Sequence, residues 1–211
     1  MSGNRLPPTR ANLLRARREL ERVRQGAALI RRKREALVAE LFRAARPAMD
    51  LRERIARSAI VASEALLEAL AVHGEHGLRV IAWPERAIEV ELRAARVWGI
   101  PVAEVVARPV LARGLDARGT APAMTGPTAA TTASRYEELA DLLIEAAPRE
   151  QLVRRLGDAV SRASRQLRTL EQRVTPALAR EVSRVRRELE ERDREERLRL
   201  RHVQRRRNPA T

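Results

Sequence analysis

The sequence contains no cysteine, which excludes disulfides, zinc ribbons and thiol catalysis and gives no sign of an oxidising compartment. Aromatic residues make up 2% of the chain, namely Phe42, Trp83, Trp98 and Tyr136, too few for an ordinary globular core. Alanine, leucine, arginine and glutamate dominate instead, the mixture of long helices that meet along narrow seams. No run of about 18 apolar residues occurs to span a bilayer, and the N-terminal MSGNRLPPTRANLL lacks the apolar stretch of a secretory signal. A cytosolic protein, free to dock on a membrane complex, is expected. Lysine occurs once, as Lys33 within RRKRE, with no glycine-rich turn before it. A nucleotide-hydrolysing P-loop needs both features, so the chain is not a Walker-type ATPase by itself.

What is abundant is positive charge. The formal net charge is +15, and it is unevenly spread. Residues 1–46 hold 13 basic and 4 acidic side chains, residues 184–211 hold 11 and 6, and the stretch between holds 19 and 18. The excess therefore sits at the two termini.

Pro7 and Pro8 followed by Thr9 form a helix start, with Thr9 as the capping oxygen. From Leu13 an alternating three-then-four spacing runs through Ala16, Leu20, Val23, Ala27, Ile30, Arg34, Leu37, Leu41, Ala44, Ala48, Leu51, Ile55, Ser58, Ala62, Ala65 and Ala69. Only Arg34 and Ser58 are polar, so this is a coiled-coil seam sustained for about eight heptads. A continuous helix over residues 10–71 would be about 90 Å long. Pro47 keeps the phase of the pattern and predicts a bend rather than an end; Gly74 and Gly77 are expected to close the helix.

A second helical pattern starts near Ala133 and reaches about Arg206, with seam positions Leu139, Leu142, Ala146, Val153, Leu156, Val160, Ala163, Leu167, Leu170 and Val174. Pro148 is expected to break its first part. Near Pro176 the spacing changes to Val174, Leu178, Val182, Val185 and Leu189, which alters local supercoiling. Beyond Leu189, Glu190–Arg194 and Glu195–Arg199 are i,i+4 pairs that support an exposed helix.

Residues 73–132 hold most of the glycines and prolines. There Ile88, Val90 and Leu92 alternate with Glu89, Glu91 and Arg93, and Val102, Val106 and Val110 follow the Trp98–Gly99–Ile100–Pro101 corner. A small β-hairpin is predicted, followed by a mobile loop over 114–134. The fold class is thus all-α dominated: a long antiparallel two-helix coiled coil with a small central β-hairpin and loop insertion. Its parts are residues 1–72, 73–132 and 133–211. Folding back antiparallel lets the two seams bury each other and brings the basic terminal segments together. A homodimeric coiled coil would leave the insertion unexplained.

Candidate chemistry is sparse. His73 and His76 flank Glu75, but no further metal ligand is evident and a solvated turn is the reading. No nucleophile, base and orienting group converge. The runs Arg15–Arg17–Arg18, Arg31–Arg32–Lys33–Arg34 and Arg205–Arg206–Arg207 leave three readings open: a solvated helix face, a surface for an acidic protein, or a nucleic-acid contact. The last lacks stacking aromatics and any docking module. An arginine-rich scaffold or nucleic-acid-binding protein is the alternative function.

Three segments resemble the D-subunit family of V/A-type ATPases. They are PPTRANLLRARRELERVRQGAALIRRKREALVAELF at 7–42, VWGIPVAEV at 97–105, and LRTLEQRVTPALAREVSRVRRELEERDREERLRLRHV at 167–203. They occur in the family's order; residues 106–132 match poorly. The resemblance implies a non-catalytic central rotor shaft that binds no cofactor or metal. Its paired termini would insert into the ring of catalytic and nucleotide-binding subunits (A and B). Its hairpin region would hold the small F subunit of the stalk and sit on the funnel-shaped C/d-type subunit above the membrane ring. On that reading Arg15, Arg17, Arg18, Arg31, Arg32, Lys33, Arg34, Arg194, Arg197 and Arg201 form the bearing surface, and Ile88, Val90, Leu92 and Trp98 the hairpin contact.

Overall fold

The computed structural model describes residues 7–81, 87–114 and 122–207. Its elements are helix α1 (Arg10–Ile81), strands β1 (Glu91–Val97) and β2 (Ile100–Ala107), helix α2 (Pro122–Thr169), a π-helical turn (Leu170–Val174) and helix α3 (Thr175–Arg207). The chain divides into two compact units. One joins residues 1–36 with 161–211, and the other comprises residues 37–160.

Thr9 caps α1 as expected: its Oγ1 accepts from Asn12 N at 3.2 Å and its carbonyl from Leu13 N at 2.9 Å, so two of the helix's free amides are satisfied. The seam is the interior. None of the α1 positions picked out by the three-four spacing is exposed, and every buried residue of α1 is one of them. The same holds for the candidates from Leu139 to Leu189, none of which is exposed. Alanine fills many of these positions, which lets the two backbones approach closely.

Antiparallel pairing is visible in each unit from its cross-helix contacts. In the first, Arg10 pairs with Asp193 at 3.6 Å, Arg192 donates to Pro8 O at 3.3 Å, and Arg31 pairs with Glu171. In the second, Arg52 pairs with Glu150 at 3.0 Å, and Thr132 Oγ1 donates to Ala65 O at 2.7 Å. The first unit is closed by Ala16, Leu20, Ala27, Ala163, Leu167 and Val185. The second is closed chiefly by Leu37, Leu51, Ala62, Ala69, Ala146 and Leu156.

Several helix boundaries differ from the sequence reading. Gly74 breaks α1 with φ 68 and ψ 168, but a helical segment resumes and runs to Ile81. Pro148 lies within α2 and does not end it. Helix α2 begins at Pro122 rather than near Ala133, so most of the expected loop over 114–134 is helical; residues 115–121 of that loop lie outside the described residues. Burial of Ala129 and Thr132 explains the earlier start. Their packing against the neighbouring helix outweighs the low helix propensity of a segment rich in proline, glycine and threonine.

The spacing change near Pro176 is realised as the π turn. Thr175 N–H bonds to Leu170 O, one residue wider than an α-turn. A proline ring crowds the carbonyl four residues earlier, here Gln172, and the wider turn relieves that contact. Proline alone does not demand it, since Pro47 and Pro148 are accommodated in α-helix. Changed seam register and proline act together here.

β1 and β2 form an antiparallel hairpin with Val97 opposite Ile100, Ala95 opposite Val102 and Arg93 opposite Glu104. Trp98 and Gly99 turn the chain with φ 52 and φ 78, the positive pair of a two-residue hairpin loop. β1 starts at Glu91, so Ile88 and Val90 precede it; β2 ends at Ala107, so Val110 lies beyond it. The turn sets the register, and a bulge between Glu91 and Leu92 ends regular pairing.

Candidate functional site

Two surfaces carry the residues singled out by sequence. The first lies on the unit formed by the chain ends. Arg15, Arg17, Arg18, Arg32 and Lys33 are exposed on α1, and among the described residues none has a carboxylate partner. Arg34 occupies a seam position and is half-buried. Arg31 is engaged by Glu171 across the coil. α3 is different, because four of its arginines, Arg184, Arg186, Arg194 and Arg199, are answered by its own acids. Arg194 pairs with Glu191 at 3.7 Å, Arg199 with Glu195 at 3.5 Å and Arg186 with Glu190 at 2.7 Å. The last takes Glu190 away from the Arg194 partner expected of it. Arg197 donates to Asp193 O at 3.0 Å, and Arg201 is exposed without a partner among the described residues. The uncompensated charge therefore concentrates on α1.

Arg184, half-buried on α3, is clamped between Glu181 and Glu188, the latter at 2.9 Å. Its pKa is raised, first by the hydrogen bond to Glu181 and then by that to Glu188. A raised cation pKa means this contribution to folding is fully present at every pH below the ordinary arginine range.

The second surface is the hairpin. It lies along α2, held by Arg155 donating to Pro101 O, by the Arg108–Asp141 pair at 3.2 Å and by buried Val102. Arg113 N donates to Glu137 at 3.1 Å and Leu111 is buried, which ties down the segment after β2. Leu92 is 61% exposed and Trp98 57% exposed. Ile88 is nearly half exposed and lines a small pocket with Leu111 and Tyr136, while Val90 is half-buried before β1 begins. Leu92 and Trp98 thus present apolar surface on the hairpin, whereas Ile88 and Val90 belong to its approach.

Two features of this unit escape the sequence reading. Phe42, Met49, Ile60 and Leu67 are all exposed on α1, and their spacings of seven, eleven and seven residues align them on one outward stripe. A second, outer periodicity beside the seam is the signal that reveals it. An open cleft of about 910 Å³ is also lined by Arg54, Arg57, Val61, Val110, Glu138 and Leu142; it joins parts of three segments and leaves no local signal.

Among the described residues no three metal-ligating side chains converge, and His73 shares a hydrogen bond with Thr128 at 3.1 Å. No described helix is long and apolar enough to cross a membrane.

These features coincide with matches to known proteins. A family model for the D subunit of ATP synthase matches residues 12–205. The V-type ATP synthase D subunit of Anaeromyxobacter dehalogenans is 39% identical over 199 residues, covering 94% of this chain and 95% of the relative. That of Thermus thermophilus is 33% identical over 202 residues, covering 95% and 88%. The A-type ATP synthase D subunit of Methanoregula boonei is 29% identical over 199 residues, covering 94% and 95%. With both helical arms and the hairpin inside the matched span, this chain belongs to the ATP synthase D-subunit family.

Proposed function

We propose that the chain is the central-stalk rotor subunit of a V/A-type ion-translocating ATPase or ATP synthase. It transmits rotation between the catalytic ring and the membrane ring and performs no chemistry itself. The carrying observation is the separation of roles on α1. The apolar seam is turned inward, while Arg15, Arg17, Arg18, Arg32 and Lys33 stand free on the outside. A shaft must turn past successive partner surfaces without locking. Long-ranged, weakly directional charge attraction suits such a bearing better than interdigitated apolar contacts.

On this reading the chain ends enter the ring of A and B subunits, and ATP binds to the ring. The hairpin, through Leu92 and Trp98, contacts the small F subunit of the stalk. The unit of residues 37–160, which carries the hairpin, also sits on the funnel-shaped C/d-type subunit, so the protein works at the membrane periphery without entering it.

The test is reconstitution with Arg15, Arg17, Arg18, Arg32 and Lys33 changed to glutamate. Ring insertion or rotation-coupled ATP hydrolysis should fall, and the defect should deepen at low salt, where repulsion is least screened. Wild-type assembly and coupling in a folded variant would defeat the bearing assignment.

A further inference from the structure

Gly74 in α1 and Gly126 in α2 share nearly one backbone conformation, φ 68 and ψ 168 in the first, φ 62 and ψ 160 in the second. This region of φ/ψ space is essentially restricted to glycine. Each is the one point at which its helix leaves helical dihedrals. The two points also lie at one level of the coil. The ring of His73, next to Gly74, lies against Gly126, where an added Cβ would stand 3.1 Å from Cε1 and 3.2 Å from Nε2. His73 Nε2 is hydrogen-bonded to Thr128 Oγ1 at 3.1 Å. One turn further into the coil, Thr132 Oγ1 binds both Ala65 O and Thr128 O, at 2.7 and 2.9 Å.

A break in only one helix of a pair would shear its seam against an unbroken partner. Two breaks in register free both helices at once, and hinges are such short sets of residues that absorb a φ/ψ change. We propose that Gly74 and Gly126 form a joint across the coil, latched by the His73–Thr128 hydrogen bond. At this joint the helical segments 75–81 and 122–125 change direction relative to the coil. The Thr132 bonds mark its fixed side. As a coupling joint, letting a shaft seat on a partner whose axis is not collinear with its own, it rests on the proposed rotor role. Its existence as a joint does not.

The absence of cysteine makes the full-length chain suitable for paired spin labels. Ser63→Cys with Val80→Cys brackets Gly74, and Asp50→Cys with Leu67→Cys spans as many residues of unbroken α1; all four sites are exposed. Pulsed dipolar spectroscopy should give a broader distance distribution for the bracketing pair. Gly74→Ala disfavours the φ 68 conformation, which strains any residue with a Cβ, so it should straighten the break and narrow that distribution to the control's width. Thr128→Val, close in shape to threonine, removes the latch and should shift the ratio of conformers roughly fivefold, the effect of one ordinary hydrogen bond. Circular dichroism establishes that each variant is folded. A bracketing distribution as narrow as the control, or one unmoved by Thr128→Val, overturns the joint. If the joint is present and Gly74→Ala nevertheless leaves coupling in reconstituted complex unchanged, the joint stands and only its role in rotation fails.

Discussion

Arg31 of α1 is ion-paired with Glu171, the second residue of the π turn. The pair fastens the π-helical stretch of the C-terminal arm to the opposite helix. It also removes Arg31 from the free cations around it. Both side chains are substantially exposed, so their coupling should be small, about 0.2–1 kcal/mol. A double-mutant cycle with Arg31→Ala and Glu171→Ala, followed by urea unfolding, should return a coupling energy in that range that shrinks with added salt. A coupling near zero at low salt would leave the π turn unfastened. Reversing Arg15 or Arg18, by contrast, should not change stability measurably.

Pro47 lies on an exposed face inside α1, where it denies the Arg43 carbonyl its usual amide partner. Nothing in the described surroundings requires a proline there, and alanine is the better helix former by about 3 kcal/mol in a helix interior. Pro47→Ala should therefore stabilise the folded chain by about 1–3 kcal/mol, read as a higher urea midpoint at unchanged slope. A lower midpoint would mean that the helix depends on the local geometry proline imposes.

The seam shows how far sequence reading reaches. Spacing alone identifies Leu37, Leu51, Leu156 and Val185, and they are the large side chains withdrawn from water, because a heptad pattern writes burial directly into residue order. Thr9 is legible for the same reason, since capping chemistry is local. Residues 122–134 mislead because local propensity there opposes a tertiary contact. Ala129 and Thr132 extend the spacing of Leu139 and Leu142 backward, a signal obscured by Pro127 and Gly126. The joint is invisible in sequence for a deeper reason. Gly74 and Gly126 are ordinary glycines there, and only their meeting across the coil through His73 and Thr128 gives them a common role. At the terminal surface, net charge is legible but its distribution is not. Which cations are answered by acids depends on rotamers and on competition between alternative i,i+4 partners, as in the capture of Glu190 by Arg186.

Core burial sets a scale against which surface changes can be judged. Leu156→Ala removes a side chain with no exposure and should cost about 2–5 kcal/mol by lost transfer free energy and cavity formation. Leu29→Ala, at 69% exposure, should stay within about 0.5 kcal/mol. Denaturant unfolding followed by circular dichroism decides between them. Equal effects would mean that the coil's stability does not rest on this seam.

Trp98 is the one non-glycine residue with positive φ among the described residues. A tryptophan there is unfavourable by about 1–2 kcal/mol, and its indole gains little burial in return, since it is 57% exposed at the hairpin corner. Folding alone would favour asparagine or glycine at this position. Trp98→Asn should then raise the stability of the isolated chain by about 1 kcal/mol in urea unfolding. If the indole is retained because the F subunit covers it, the same change should weaken co-purification of that partner, in opposition to the gain in stability. Leu92→Ser offers a control: it removes apolar surface from the same hairpin without relieving the turn, so it should weaken the association with no stability gain. Undiminished capture of the F subunit by both variants would dismiss the hairpin as its contact and leave the strained tryptophan without a function.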